Sequence, residues 1–206
     1  MTQHAGLSRM RGYTLVEVLV VVAVAVVLLG LVLEALIATN RASDELMLAQ
    51  ESRQEALFIA QKLEKFVRGR IAPTELANGE QEVFAGNQLA FYSSTFPQGL
   101  ARLEIQNDPE QKCAVVRAQL SNNKTLTLPL RSLDERRLRS EVSFRFGMAT
   151  DKLEAQWLDR VSTTPQLIGY AVRVWPNQAR YASYKDAVSP RGTKLGFEYV
   201  SAVRLP

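Results

Sequence analysis

The stretch Val18 to Leu33 reads VLVVVAVAVVLLGLVL, with no charged or strongly polar side chain. Carried past Glu34 through Ala35, Leu36, Ile37 and Ala38, it reaches the length of a bilayer span, which takes about 20 mostly apolar residues at about 1.5 Å each. No proline interrupts it, and Gly30 is the one residue within it that lacks a side chain. In hydrocarbon the backbone must satisfy its own hydrogen bonds, so even a valine-rich run is expected to be one continuous helix. Arg9 and Arg11 stand just before the run and, by the positive-inside rule, hold the N-terminus in the cytoplasm. The remainder of the chain is then expected on the other side of the membrane.

The residues bordering the run limit what kind of segment it is. A conventional signal peptide ends in small residues spaced A-x-A, but Ala35 and Ala38 lie three apart. A plain anchor gives no reason for the order Arg11-Gly12-Tyr13-Thr14-Leu15-Val16-Glu17, which places an acid just inside the apolar run. A charge in that position is costly unless it is paired or reaches the interface, so Glu17 is a candidate functional residue. Glu34, at the opposite end, fits simple exposure at the interface.

The helical pattern continues beyond the membrane segment. Leu46, Ala49, Ala56, Ile59, Ala60, Leu63, Phe66 and Val67 recur at spacings of three, four and seven. Asp44, Glu45, Glu51, Arg53, Glu55, Lys62, Glu64 and Lys65 fill much of the rest, and together they predict an amphipathic helix with a solvated charged face. Gly69 is the expected stop, with Pro73 supporting it.

Past Gly69 the apolar residues alternate with a period of two. Leu103 and Ile105, then Leu126, Leu128 and Leu130, then Val142, Phe144 and Phe146 each predict a half-buried strand. Asn122-Asn123 suggests a hairpin between Cys113–Leu120 and Thr125–Leu130, with Pro129 placing the second strand at an edge or strand end. Gly147 to Asp151 is expected to turn Val142–Phe146 back into Leu153–Leu158. A strand over Leu167–Trp175 stops at Pro176, 176–192 reads as a polar, tyrosine-containing loop, and a last strand fits Lys194–Val203. The expected fold class is α+β, a long helix packed on an antiparallel sheet domain. The expected divisions are a leader over 1–12, a transmembrane helix over 13–38, its amphipathic continuation over 39–68 and a β-rich domain over 69–206.

Composition removes several functions. In 206 residues there is one cysteine, Cys113, so no intrachain disulfide forms and a buried thiol is expected. The one histidine, His4, precedes the apolar run, leaving the body without imidazole for catalysis or metal binding. No glycine-rich phosphate loop and no Ser or Cys with an evident base is present, so neither an enzyme nor a cofactor is expected. Asp108-Pro109-Glu110 and Asp134-Glu135 read as solvated acidic pairs, and Trp157 and Trp175 as core or interface residues. The formal net charge is +4, or +2 once Arg9 and Arg11 are discounted, and Arg136-Arg137-Leu138-Arg139 reads as a solvated run rather than a nucleic-acid surface.

Arg11 to Glu17 followed by Val18 to Leu33 resembles the class III signal of type IV pilins and type II secretion pseudopilins. The resemblance implies cleavage after Gly12 by a prepilin peptidase that also methylates the new N-terminus at Tyr13. It also implies that Glu17 is the acid pairing with a neighbouring subunit's N-terminal amine. Tyrosine stands where phenylalanine is commoner in the family. Leu153 to Asp159, Pro165 to Ile168 and the close after Ser189-Pro190-Arg191 are similar to J-type minor pseudopilins. The implied role is a minor subunit that helps initiate or cap a pseudopilus in protein secretion, or else a minor type IV pilin. Implied partners are other major and minor subunits, the peptidase and an inner-membrane assembly platform, with the chain crossing the inner membrane once.

Overall fold

The computed structural model describes residues 14–72, 81–96, 99–121, 124–132, 137–149 and 155–205. The architecture is α+β. One helix, α1 (Leu15–Arg68), is followed by two antiparallel sheets. By internal contacts the chain divides into two compact units, one ending at Asp44 and the other beginning at Glu45.

In the first unit, α1 is apolar on all sides and shows it. The large apolar side chains from Leu15 through Ile37 are exposed, Leu15 by 79% and Ile37 by 52%. It is the one helix among the described residues long and apolar enough to cross a membrane.

In the second unit the same helix buries a stripe. Ala56, Ile59, Ala60, Leu63, Phe66 and Val67 are buried at the three-four spacing of a helix face. They meet Leu89, Phe91, Leu103 and Ile105 from one sheet and Val142, Phe144 and Ile168 from the other. Gly69 ends the helix, and a β-carbon there would collide with the side chain of Thr95. The helix's last carbonyls, which have no partner within the helix, are satisfied from outside. Ser93 Oγ donates to Phe66 O at 3.1 Å, and Thr95 Oγ1 donates to Lys65 O at 3.1 Å.

The larger sheet is built from β1 (Arg70–Ile71), β2 (Val83–Ala85), β3 (Gln88–Ser93), β4 (Ala101–Asp108), β5 (Cys113–Leu120), β6 (Thr125–Pro129) and a later short strand, β9 (Arg160–Val161). Its order is β6-β5-β4-β3-β2-β9, with β1 also pairing β3. The smaller sheet takes β7 (Leu138–Ala149), β8 (Ala155–Leu158), β10 (Leu167–Pro176) and β11 (Phe197–Arg204) in the order β11-β10-β7-β8. A buried pair links β1 to the residue just before β2. Arg70 donates to both carboxylate oxygens of Glu82 at 2.6 and 2.7 Å, and both side chains are only 4% exposed.

Several expectations are corrected. Leu46 is 64% exposed, because the buried stripe runs instead through Leu48, Ala49 and Ser52 to Glu55. Glu55, expected on the charged face, is 4% exposed. It is accommodated there because the Ser132 amide donates to it at 2.8 Å and the Ser132 hydroxyl donates to its second oxygen. Gly147 is no turn residue, since β7 continues to Ala149 and pairs Gly147 with Trp157. The connection it makes, residues 150–154, lies outside the described residues, as do Asn122-Asn123. The hairpin pairing of β5 with β6 and the edge position of β6 agree with the sequence, although Leu128 is 42% exposed there rather than half buried. The last strand starts at Phe197, because Gly196 fits closely against the Tyr184 backbone and 177–196 folds as a loop. That loop has its own small core of Trp175, Tyr181, Ala187 and Leu195, with Leu48 and Ala49 of α1 against it. Strands β1, β2 and β3 are not evident from the sequence pattern. Two of them are three residues or shorter, and β3 is buried at four of six positions, so no clean alternation marks it.

Candidate assembly site at the head of the helix

The first turn of α1 is closed by its own side chains. Thr14 precedes the helix, and Glu17 is the acid of its first turn. Glu17 Oε2 accepts from the Thr14 amide at 2.9 Å and from the Thr14 hydroxyl at 3.2 Å, while Thr14 Oγ1 accepts from the Glu17 amide at 3.3 Å. This reciprocal arrangement is a capping box, which satisfies two of the amides a helix start leaves without partners. The carboxylate also lies at the positive end of the helix dipole, where negative charge is favoured. The Thr-x-x-Glu spacing is itself a sequence signature of this cap, overshadowed by the cost of an acid in an apolar run. Both side chains are exposed, so the carboxylate is open to a further donor.

Gly12 and Tyr13, the expected cleavage and methylation positions, lie outside the described residues. Glu34 is exposed on the same helix. Beyond Thr14 and Glu17, the surface of this half of α1 is a continuous sleeve of valine and leucine side chains.

Several other residues singled out in the sequence have structural roles. Cys113 is buried at the start of β5, and burial pushes its thiol up, against the opposing charge of Arg131. Asp108 Oδ1 accepts from the amides of Glu110 and Gln111 at 2.9 and 3.1 Å, which makes it the anchor of a turn. Arg139 Nε donates to Asn177 Oδ1 at 2.9 Å and Arg137 is exposed, while Arg136, Asp134 and Glu135 lie outside the described residues. Trp175 is buried in the small second core, whereas Trp157 is 43% exposed on the smaller sheet. Leu153 and Glu154 are outside the described residues. Among those described, no group of three His, Cys, Asp or Glu side chains gathers to hold a metal.

Residues 7–33 match the model of the prokaryotic N-terminal methylation motif. The match begins before the basic residues, takes in Gly12, Tyr13 and Glu17, and ends at the close of the apolar run. No curated protein and no solved structure matches the chain. The motif supports a place for the chain among type IV pilin-like proteins, which are structural subunits processed at the N-terminus.

Proposed function

We propose that this chain is a minor pseudopilin, of the J-type, that helps initiate or cap a pseudopilus in protein secretion. In this reading residues 1–12 are a leader removed after Gly12. Residues 13–38 cross the inner membrane, residues 39–68 continue the helix, and residues 69–206 form the domain on the far side. Tyr13 becomes the methylated N-terminus, and the chain acts by assembly rather than catalysis. Its partners are the prepilin peptidase, the other major and minor subunits and the inner-membrane assembly platform.

The observation that carries the reading is the match to the methylation motif over residues 7–33, on a helix whose large apolar side chains from Leu15 through Ile37 are exposed. An apolar surface of this extent requires lipid or other apolar helices around it. Glu17 gives such a bundle its register. Among the described residues its carboxylate accepts from Thr14, and on assembly it accepts a neighbour's N-terminal amine in low dielectric.

Mass spectrometry of the protein recovered from native membranes tests this directly. The expected chain begins at N-methylated Tyr13. An intact Met1, or a cut beyond Ala38, defeats the proposal. Gly12→Glu should leave the uncut precursor in the membrane, because a peptidase site shaped for glycine rejects a bulky charged side chain.

A further inference from the structure

The outer face of the smaller sheet carries a groove of about 630 Å³, within the roughly 300–1,000 Å³ typical of small-molecule sites. On β10, Ile168, Tyr170, Val172 and Val174 enter the core, so Gly169, Ala171 and Arg173 face the other way. Register places Gly169 between Arg145 and Ala202, and Ala171 between Ser143 and Val200. The groove floor is therefore made of small side chains flanked by an exposed valine, Val200, at 69%.

Trp157 forms one wall. Its indole lies over two glycines on neighbouring strands, Gly147 and Gly169, and a β-carbon at Gly169 would sit 2.7 Å from the ring. The two glycines thus give the ring a seat on the sheet, and 43% of the residue is left open toward the groove. Charged groups line the rest of the rim, already matched to one another. Arg145 Nε is 3.6 Å from Asp159 Oδ1, Arg173 Nε is 2.8 Å from Glu198 Oε1, and the Tyr184 hydroxyl donates to Glu198 Oε2 at 3.2 Å.

We propose that this groove is a binding site for a neutral saccharide of two or three pyranose units, stacked on Trp157. A charged ligand would compete with the close Arg173–Glu198 pair and meet the opposite charge beside Arg145 or Asp159, whereas a neutral one leaves both pairs intact. The floor of Gly169, Ala171, Ala202 and Val200 is apolar, with the Ser143 hydroxyl beside Ala171, and the rim offers guanidinium, carboxylate and hydroxyl groups. A pyranose has the same distribution, with C–H groups on its ring faces and hydroxyls around its perimeter. A peptide fits less well, because β10 is paired on both sides, and the free edge of β11 lies at the opposite side of the sheet from β8, which carries Trp157. This site is independent of the assembly reading, and either can fail without the other.

The chain has two tryptophans, and the second, Trp175, is buried away from the groove, so indole emission reports on Trp157. The test uses the full chain in a zwitterionic, sugar-free detergent, because alkyl maltosides would themselves compete. Maltotriose, cellotriose and tri-N-acetylchitotriose are titrated separately. At least one should change the emission saturably, with half-saturation on the order of 1 mM. Trp175→Phe should preserve that response. Trp157→Ala should weaken binding measured by calorimetry about tenfold or more. Ala202→Arg, at an exposed position that tolerates bulk, should fill the groove and abolish binding while leaving the unfolding midpoint unchanged. The proposal is overturned by any of three results: no saturation with any of the three up to about 100 mM, undiminished affinity in Ala202→Arg, or saturation by short extended peptides alone.

Discussion

Leu28 and Leu63 lie on the same helix, yet one is 57% exposed and the other fully buried. The two side chains are equally hydrophobic, and what differs is the arrangement of the residues around them. Between Val18 and Leu33 apolar residues occupy every side, so no single sheet could cover them. Between Ser52 and Arg68 the buried ones form a single stripe, and the charged residues Arg53, Lys65 and Arg68 are exposed. Each fully buried leucine or isoleucine on that stripe contributes about 1.5–3 kcal/mol of transfer free energy. The first half makes no such gain within the chain. The stripe serves the folding of one molecule, and the sleeve is left for surroundings outside it.

Polar groups divide in the same way. Glu55 finds Ser132, Glu45 accepts from the Ser189 hydroxyl at 3.0 Å, and Arg70 finds Glu82, all within the body. Among the described residues, Glu17 is held by its near neighbour Thr14. The largest effect that can break this contrast is expected from Glu17→Ala. If assembly supplies the carboxylate's second partner, the substitution leaves a buried amine unpaired and lowers incorporation about a hundredfold or more. The single chain loses only an exposed capping box, so cleavage, membrane level and unfolding midpoint should match the wild type. Recovery of partner subunits at equal expression measures the first effect. Unchanged recovery would show that Glu17 does no more than cap α1.

A smaller effect sharpens the comparison at the level of one methylene-rich side chain. Leu63→Ala should destabilise the body by about 2–5 kcal/mol, since the site is enclosed and a cavity remains. Leu28→Ala, chemically the same change, should stay within about 0.5 kcal/mol in the same urea titration of the full chain in micelles. Equal losses would mean that the sleeve is already covered by the chain itself.

The same physics decides how much of this is legible in the sequence. The long apolar first half of α1 is legible because its signal needs no tertiary information. Strands β4, β5 and β10 are legible from alternation or from an uninterrupted apolar run. Glu55 is not, because a buried acid on a helix is recognised only when its distant partner is known, and Ser132 is 77 residues away. Ser52 donates to the Leu48 carbonyl at 2.9 Å, a local bond open to any helical serine, so nothing in its spacing marks it as buried. Leu46 departs from the expected stripe for a related reason. A three-residue step to Ala49 fits a helix face, but the face itself is fixed by Ser52 and Glu55, which hydrophobicity alone does not mark. At the candidate site the spacing Thr14 to Glu17 contains the capping box in full, while the seat of Trp157 on Gly147 and Gly169 requires the pairing of three strands.

The finest test of the contrast is an acid that is partnered inside the body, Glu198 on β11. Partial burial alone would raise its carboxyl, but the hydrogen bond and charge of Arg173, with help from the Tyr184 hydroxyl, outweigh this and hold it below its usual value of 4.5. A carboxyl with a lower value in the folded than in the unfolded chain binds fewer protons when folded, so stability rises with pH through that region. The pair's contribution is complete above pH 4.5 and is lost as the pH falls through the folded value. Both side chains are a little over a quarter exposed, so water and salt screen the pair, and its worth is under about 1 kcal/mol. Glu198→Gln should therefore lower stability slightly at pH 7 and converge with the wild type in acid, in urea titrations repeated from pH 7 to pH 3. Subunit recovery should not change, the reverse of the pattern expected for Glu17→Ala. A constant gap between the two stability curves across that range would mean that the charge on Glu198 contributes nothing and that its packing accounts for the difference.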